Sequence, residues 1–131
     1  MRTIESHKVN PANHALTVTV EDLAGVGGAS HLYRIAGFNT STNPSGSFFR
    51  EHVVSATLLF QNGPIEKAGV NGITHEVLIA ILCDRLRGFQ TGPYANDDNA
   101  SALESLHMAQ KFLQARTLKR MDRGVEGTHT V

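Results

Sequence analysis

Arg116, Arg120 and Arg123 recur at i, i+4 and i+7, a spacing that puts three guanidinium groups on one helical face, with Lys119 widening it. Two readings fit. The face is a solvated helix end that suits the C-terminal dipole, or it is an anion clamp, since each guanidinium offers a planar fork matched to phosphate oxygens. Phe89 directly follows Gly88 at the end of a helical pattern. It is either a plug between two helices or a platform on which a nucleobase stacks, because every base presents a π-face. Asn99 is similarly double: a helix cap or an amide that reads the polar edge of a ligand. The seven His residues are scattered, and no pair has metal-ligand spacing. His75-Glu76 begins like HExxH, but position 79 is Ile. Cys83 lies inside an apolar helical pattern and reads as an inert core thiol. No GxSxG elbow is present. No catalytic residue, metal ligand or cofactor is therefore expected.

The elements that must position these residues follow from the apolar spacing. Residues Met1 to Asn13 read as an arm or an edge segment. Leu16, Val18 and Val20 alternate with Thr17 and Thr19, which is a strand. Gly25-Val26-Gly27-Gly28 then breaks the chain. It lacks the Lys-Ser/Thr and the following helix of a phosphate loop, so it reads as a hairpin connection. His31 to Phe38 gives a second strand, with Tyr33 and Ile35 on one face, and Phe48 to Phe60 a third that looks covered on both faces. A three-stranded sheet of this size is marginal alone, and its edges invite pairing.

Gln61 to Gly72 is a Gly- and Pro-bearing crossover. Thr74 then caps a helix carrying Val77, Leu78, Ile81, Leu82 and Leu86, widened by Ile79 and Cys83, with Gly88 as its stop. Asp97 or Asp98 caps a second helix that runs to Asp122 or Arg123, where Gly124 ends it. At about 25 residues, roughly 38 Å, it overhangs the first. The fold class is α+β: a small N-terminal antiparallel sheet (15–60), a C-terminal antiparallel helical hairpin (74–123) and a short tail (124–131), in one domain spanning 1–131 and assembled as an oligomer.

Composition narrows the function. The chain of 131 residues has 12 Lys+Arg against 12 Asp+Glu, 18% charged residues and no Trp. A net charge of zero argues against general duplex binding, which needs excess basic charge. No run approaches the roughly 20 apolar residues of a spanning helix, and no signal-peptide pattern opens the chain. A soluble intracellular protein is expected. Low aromatic content and clustered apolar residues make subunit contacts a natural source of burial.

FQNGPIEKAGVNGITHEVLIAILCDRLRGFQTGPY and LQARTLKRMDRGVEGTH together resemble the helical hairpin of the first described family of phage Thoeris anti-defence proteins. A related hairpin occurs in phage anti-CBASS proteins, but the N-terminal strands suit the Thoeris family. The resemblance covers Phe60 to His129. It implies a sponge in the cytoplasm of the infected bacterial host. Such a protein binds the glycocyclic ADP-ribose signal made by TIR-domain proteins without cleaving it, and some members also hold cyclic di- or trinucleotides at a separate site. It also implies dimers and, in several cases, hexamers. Matched by motif, Phe89 would stack the adenine, Asn99 and Arg116 would hold polar and phosphate groups, and Arg123, with Thr128, would line the pocket wall. The stretch before Asn99 is Ala95-Asn96-Asp97-Asp98, whose two acids would repel a pyrophosphate unless they point away. Arg34 and Arg50 are candidates for a second site. The alternatives are an enzyme that degrades cyclic nucleotides, which would need a metal cluster or a base–nucleophile pair, and a structural or regulatory phage protein whose arginine face binds a partner. Asn99 and Arg116 are 17 residues apart on one helix, about 26 Å, so the site is expected to form between subunits.

Overall fold

Alternation of small β-branched and polar residues builds the N-terminal unit. In the computed structural model, which describes residues 1–122 and Gly124, the backbone gathers into two compact units, Met1–Asn62 and Gly63–Val131. The first holds a four-stranded antiparallel sheet in the order β1 (Arg2–Ile4), β2 (Thr17–Val20), β3 (Leu32–Ala36) and β4 (Ser55–Leu59). The register aligns Ile4, Val18, Ile35 and Ala56 in one row, and Arg2, Val20, Tyr33 and Leu58 in the next on the same face. Thr3, Thr19, Arg34 and Thr57 form a polar row on the other face. Period-two alternation therefore gives one apolar and one polar surface. Val20 is the buried centre of the apolar one, at 1% exposure, and Tyr33 meets Phe60 edge-on at 5.5 Å.

Three expectations for this unit are corrected. The sheet has four strands, because the N-terminal residues pair with β2 as an edge strand. Backbone hydrogen bonds hold that strand, so Arg2-Thr3-Ile4 shows no apolar signature. A short helix α1 (Pro11–Ala15) follows it, capped by Asn10. The expected long strand over 48–60 is confined to Ser55–Leu59. Ahead of it, Asn39 and Asn43 each accept a backbone N–H two residues on, at 2.8 and 3.0 Å, and turn the chain into two successive 3-10 helices. The cover expected on both faces of this strand is not found within this unit among the described residues: β4 is an edge strand, and Ala56, Thr57 and Leu59 are exposed.

The Gly-rich stretch is the hairpin connection between β2 and β3, closed by Gly25 N–H donating to Ala29 O at 2.9 Å. Asp22 clasps its base. Its carboxylate accepts from His31 N–H and Leu32 N–H at 2.9 and 3.0 Å, and His31 Nδ1 lies 3.5 Å away. The Leu32 amide, followed by the His31 contacts, holds this carboxyl below its ordinary value. A carboxyl whose folded pKa is depressed contributes stability above its unfolded pKa of about 4, and that contribution is lost as pH falls from there through the folded pKa. Asp22→Asn is expected to melt at a lower temperature than the parent at pH 6, with the gap narrowing below about pH 4. Thermal melts of both proteins between pH 3 and 6 test this, and a gap that stays constant would refute it.

The second unit begins with a short helix α2 (Ile65–Ala68) within the Gly- and Pro-bearing crossover. It then forms the helical hairpin of α3 (His75–Gln90) and α4 (Asp97–Asp122), which pack on each other. Thr74 Oγ1 accepts from Val77 N–H at 3.3 Å, the expected cap. Gly124, at φ +70°, donates its N–H to Met121 O at 3.0 Å and ends α4, as expected. Arg87 Nη2 lies 3.0 Å from His107 Nε2 across the pair. A guanidinium only donates, so in this contact Nε2 is the acceptor.

Cys83 is fully buried in the hairpin. Val77, Ile81, Leu82, Met108 and Phe112 remain substantially exposed, Phe112 at 69%. The apolar stripe is thus wider than one partner helix can cover, and among the described residues the expected burial of α3 over much of its circumference is not reached within the hairpin. Among the described residues no helix is long and apolar enough to cross a membrane.

Candidate functional site

The turn end of the hairpin carries Phe89, Tyr94, Asn96 and Asn99. Helix α3 continues through Gly88, which was expected to stop it, and ends at Gln90 with Thr91 as C-cap. Phe89 therefore sits in the last helical turn and not in the loop. The reason lies in Gln90. Its Oε1 accepts from Asn96 N–H and its Nε2 donates to Asn96 O, both at 3.1 Å, so a six-residue turn closes on the helix's own last side chain. Asn96, not Asp97 or Asp98, caps α4: its Oδ1 accepts from Asn99 N–H at 2.8 Å while its Nδ2 donates to Tyr94 O at 3.0 Å. Asp97 and Asp98 occupy the first turn of α4, where the dipole favours acids.

Gln90 and Asn96 are the residues that sequence reasoning missed. The available signal was Asn96 three residues before Asn99 at the head of an apolar helical pattern. Asn96→Ala is expected to cost about 1 kcal/mol, and Asp97→Ala less, by urea denaturation. An equal loss from both would overturn the cap assignment.

Phe89 is 40% exposed. Arg85, four residues earlier and so on the same helical face, places its Cζ 5.7 Å from the ring centroid. Tyr94 approaches with centroids 6.5 Å apart and planes inclined at 61°. Asn99 is half-buried one turn into α4. Its backbone N–H is committed to the cap, and among the described residues its side-chain amide makes no hydrogen bond. The turn thus offers an aromatic face and an uncommitted amide, the complement of a nucleobase.

Arg116 is exposed and lies on the same continuous helix as Asn99, about 26 Å along it. Phe89 and Asn99 flank one turn, whereas Arg116 lies toward the far end. Arg120 is 8% exposed and already engaged, so it is not a third open fork beside Arg116. Arg123 and Thr128, and the tail from 125 to 131, lie outside the described residues. In the N-terminal unit, Arg50 and His52 line a concavity of about 470 Å³ with Thr40, Asn43 and Phe49, while Arg34 is exposed in the middle of β3. Among the described residues no three His, Cys, Asp or Glu side chains gather as a metal site would need.

Residues 55–118 match the family described as Acb2/Tad1, hairpin domain, a segment that takes in β4, α2, α3 and most of α4. Over 74 residues the chain is 45% identical to Thoeris anti-defense 1 of Bacillus phage SBSphiJ7, covering 56% of this chain and 52% of that protein. The chain thus spans about half the length of the relative it matches. The resemblance to the phage Thoeris anti-defence family is borne out over the hairpin segment, where the chain is similar to these proteins.

Proposed function

We propose that this is a phage anti-Thoeris protein that binds TIR-derived glycocyclic ADP-ribose and withholds it from the host effector without cleaving it. The observation that carries this reading is the turn of the hairpin, where Phe89 and the amide of Asn99 flank one corner within the segment matched to the Acb2/Tad1 hairpin. In this reading the adenine stacks on Phe89, Asn99 reads a polar edge, and Arg116 neutralises phosphate through a charge-assisted fork. In this reading Arg123 and Thr128, which lie outside the described residues, are further ligand contacts.

The two ends of this site are about 26 Å apart on one helix, too far for one small ligand. The pocket is therefore built from the turn of one subunit and the arginine end of another, in a dimer or a larger ring such as a hexamer. The exposed apolar residues Ile81, Leu82 and Phe112 support such an assembly, because burying them against a second copy is favourable at about 25 cal/mol per Å². Sequestration needs tight binding and slow release, which preorganisation supplies. The protein acts in the cytoplasm of the infected bacterium. Cyclic di- or trinucleotides at a second site, with Arg34 or Arg50 as contacts, are a separate extension of this reading.

The test is recovery. The protein is incubated with glycocyclic ADP-ribose, freed of unbound signal and denatured by heat, and the released nucleotide is identified by mass. Intact signal is the expected outcome, with native mass before denaturation reporting the assembly. Cleaved signal would establish a degrading enzyme instead, and absence of any captured signal would leave a structural or regulatory protein.

A further inference from the structure

We propose that Arg85 is a positioning residue for Phe89: its guanidinium holds one face of the ring and so directs the opposite face to the base. The inference rests on the reading of Phe89 as the stacking platform. An exposed aromatic at a helix end has two faces and more than one rotamer, and a ligand that stacks on it must first select one arrangement. In a helix the ring is limited to the two χ1 wells that lean back along the axis. The Arg85 Cζ, 5.7 Å from the centroid, favours the well that keeps the cation over the ring. Among the described residues Arg85 has no carboxylate partner to draw it elsewhere. Tyr94, at 6.5 Å and 61°, meets the ring at a steep angle and does not lie flat over a face.

One face is therefore taken by a cation and the ring is flanked by a phenol, so a single face is left for an incoming nucleobase. The structure thus confines stacking to one side. It also makes Arg85, a side chain that does not touch the base, a determinant of affinity.

Binding of glycocyclic ADP-ribose is measured by calorimetry for the parent, Arg85→Gln, Arg85→Lys, Phe89→Leu and the Arg85→Gln/Phe89→Leu double variant. Expected are a twofold to fivefold loss for Arg85→Gln, the range of an exposed cation–π contact, partial recovery with Arg85→Lys, and no effect of Arg85→Gln once Phe89 is Leu. Equal losses in both backgrounds would show that Arg85 touches the ligand itself, and would overturn the positioning role.

A ligand-free measurement keeps the two readings separable. The side-chain δ protons of Arg85 should be shifted upfield by the ring current in the parent and return to ordinary values in Phe89→Leu. Unshifted δ protons in the parent would refute the contact whatever the ligand does. Full affinity of Phe89→Leu with the ring-current shift present in the parent would instead sink the stacking reading, and with it any route from Arg85 to affinity.

Discussion

Gly37→Ala is expected to lose more than about 4 kcal/mol of stability, in the range reserved for a few diagnosable defects, and to disrupt the N-terminal sheet. Gly37 follows β3 at φ +98°, a conformation that strains any residue with a side chain. A Cβ added there would overlap Ala15 O and sit 2.9 Å from Ala15 C. Both are backbone atoms at the junction of α1 and β2, so no flexible side chain can give way. Relief would require β3 and β2 to part near Ala36 and Thr17, which are paired. Hydrogen exchange of the β2 and β3 amides and a urea melt would register the loss. Gly27→Ala is the control: an added Cβ there meets nothing within 4 Å, and the change should stay within about 0.5 kcal/mol. If the two variants melt alike, the packing of Gly37 against Ala15 is wrong.

Phe89→Ala is expected to abolish most signal binding while leaving the hairpin folded. Stacking of a base on an aromatic ring is worth about 1–3 kcal/mol, which is about fivefold to 150-fold in affinity. The fold should survive because Phe89 is substantially exposed and the turn is closed by Gln90 and Asn96, not by the ring. Calorimetry against glycocyclic ADP-ribose and far-UV circular dichroism separate the two effects. Retained affinity would remove Phe89 from the site, and lost helicity would return it to the packing role that the sequence also permits.

The parts of the fold legible in the sequence are those with a strong period. Alternation named β2 and β3, and the stripe from Val77 to Leu86 named α3. The hairpin and its relatives were visible because the Phe60 to His129 motifs are long and specific. Local signals misplaced what neighbours decide. Asn96, Asp97 and Asp98 are three consecutive residues that each cap well, and only closure by Gln90 selects Asn96. Gly88 resembles a helix stop, yet the same closure carries α3 two residues beyond it.

By itself, then, the sequence determined the order of sheet and hairpin and the absence of a recognisable catalytic motif, since residue type and period are local properties, while its resemblance to the anti-defence hairpin singled out Phe89, Asn99 and Arg116 as candidates. Only the tertiary structure decided the rest. The edge strand β1 is held by backbone bonds to β2 that leave no mark on side-chain pattern. Arg120 is withdrawn from the arginine face by burial. Arg85 lies over Phe89 because both project from one face of α3 as it nears its end, a contact set by rotamer and helix length that the spacing alone allows but does not select.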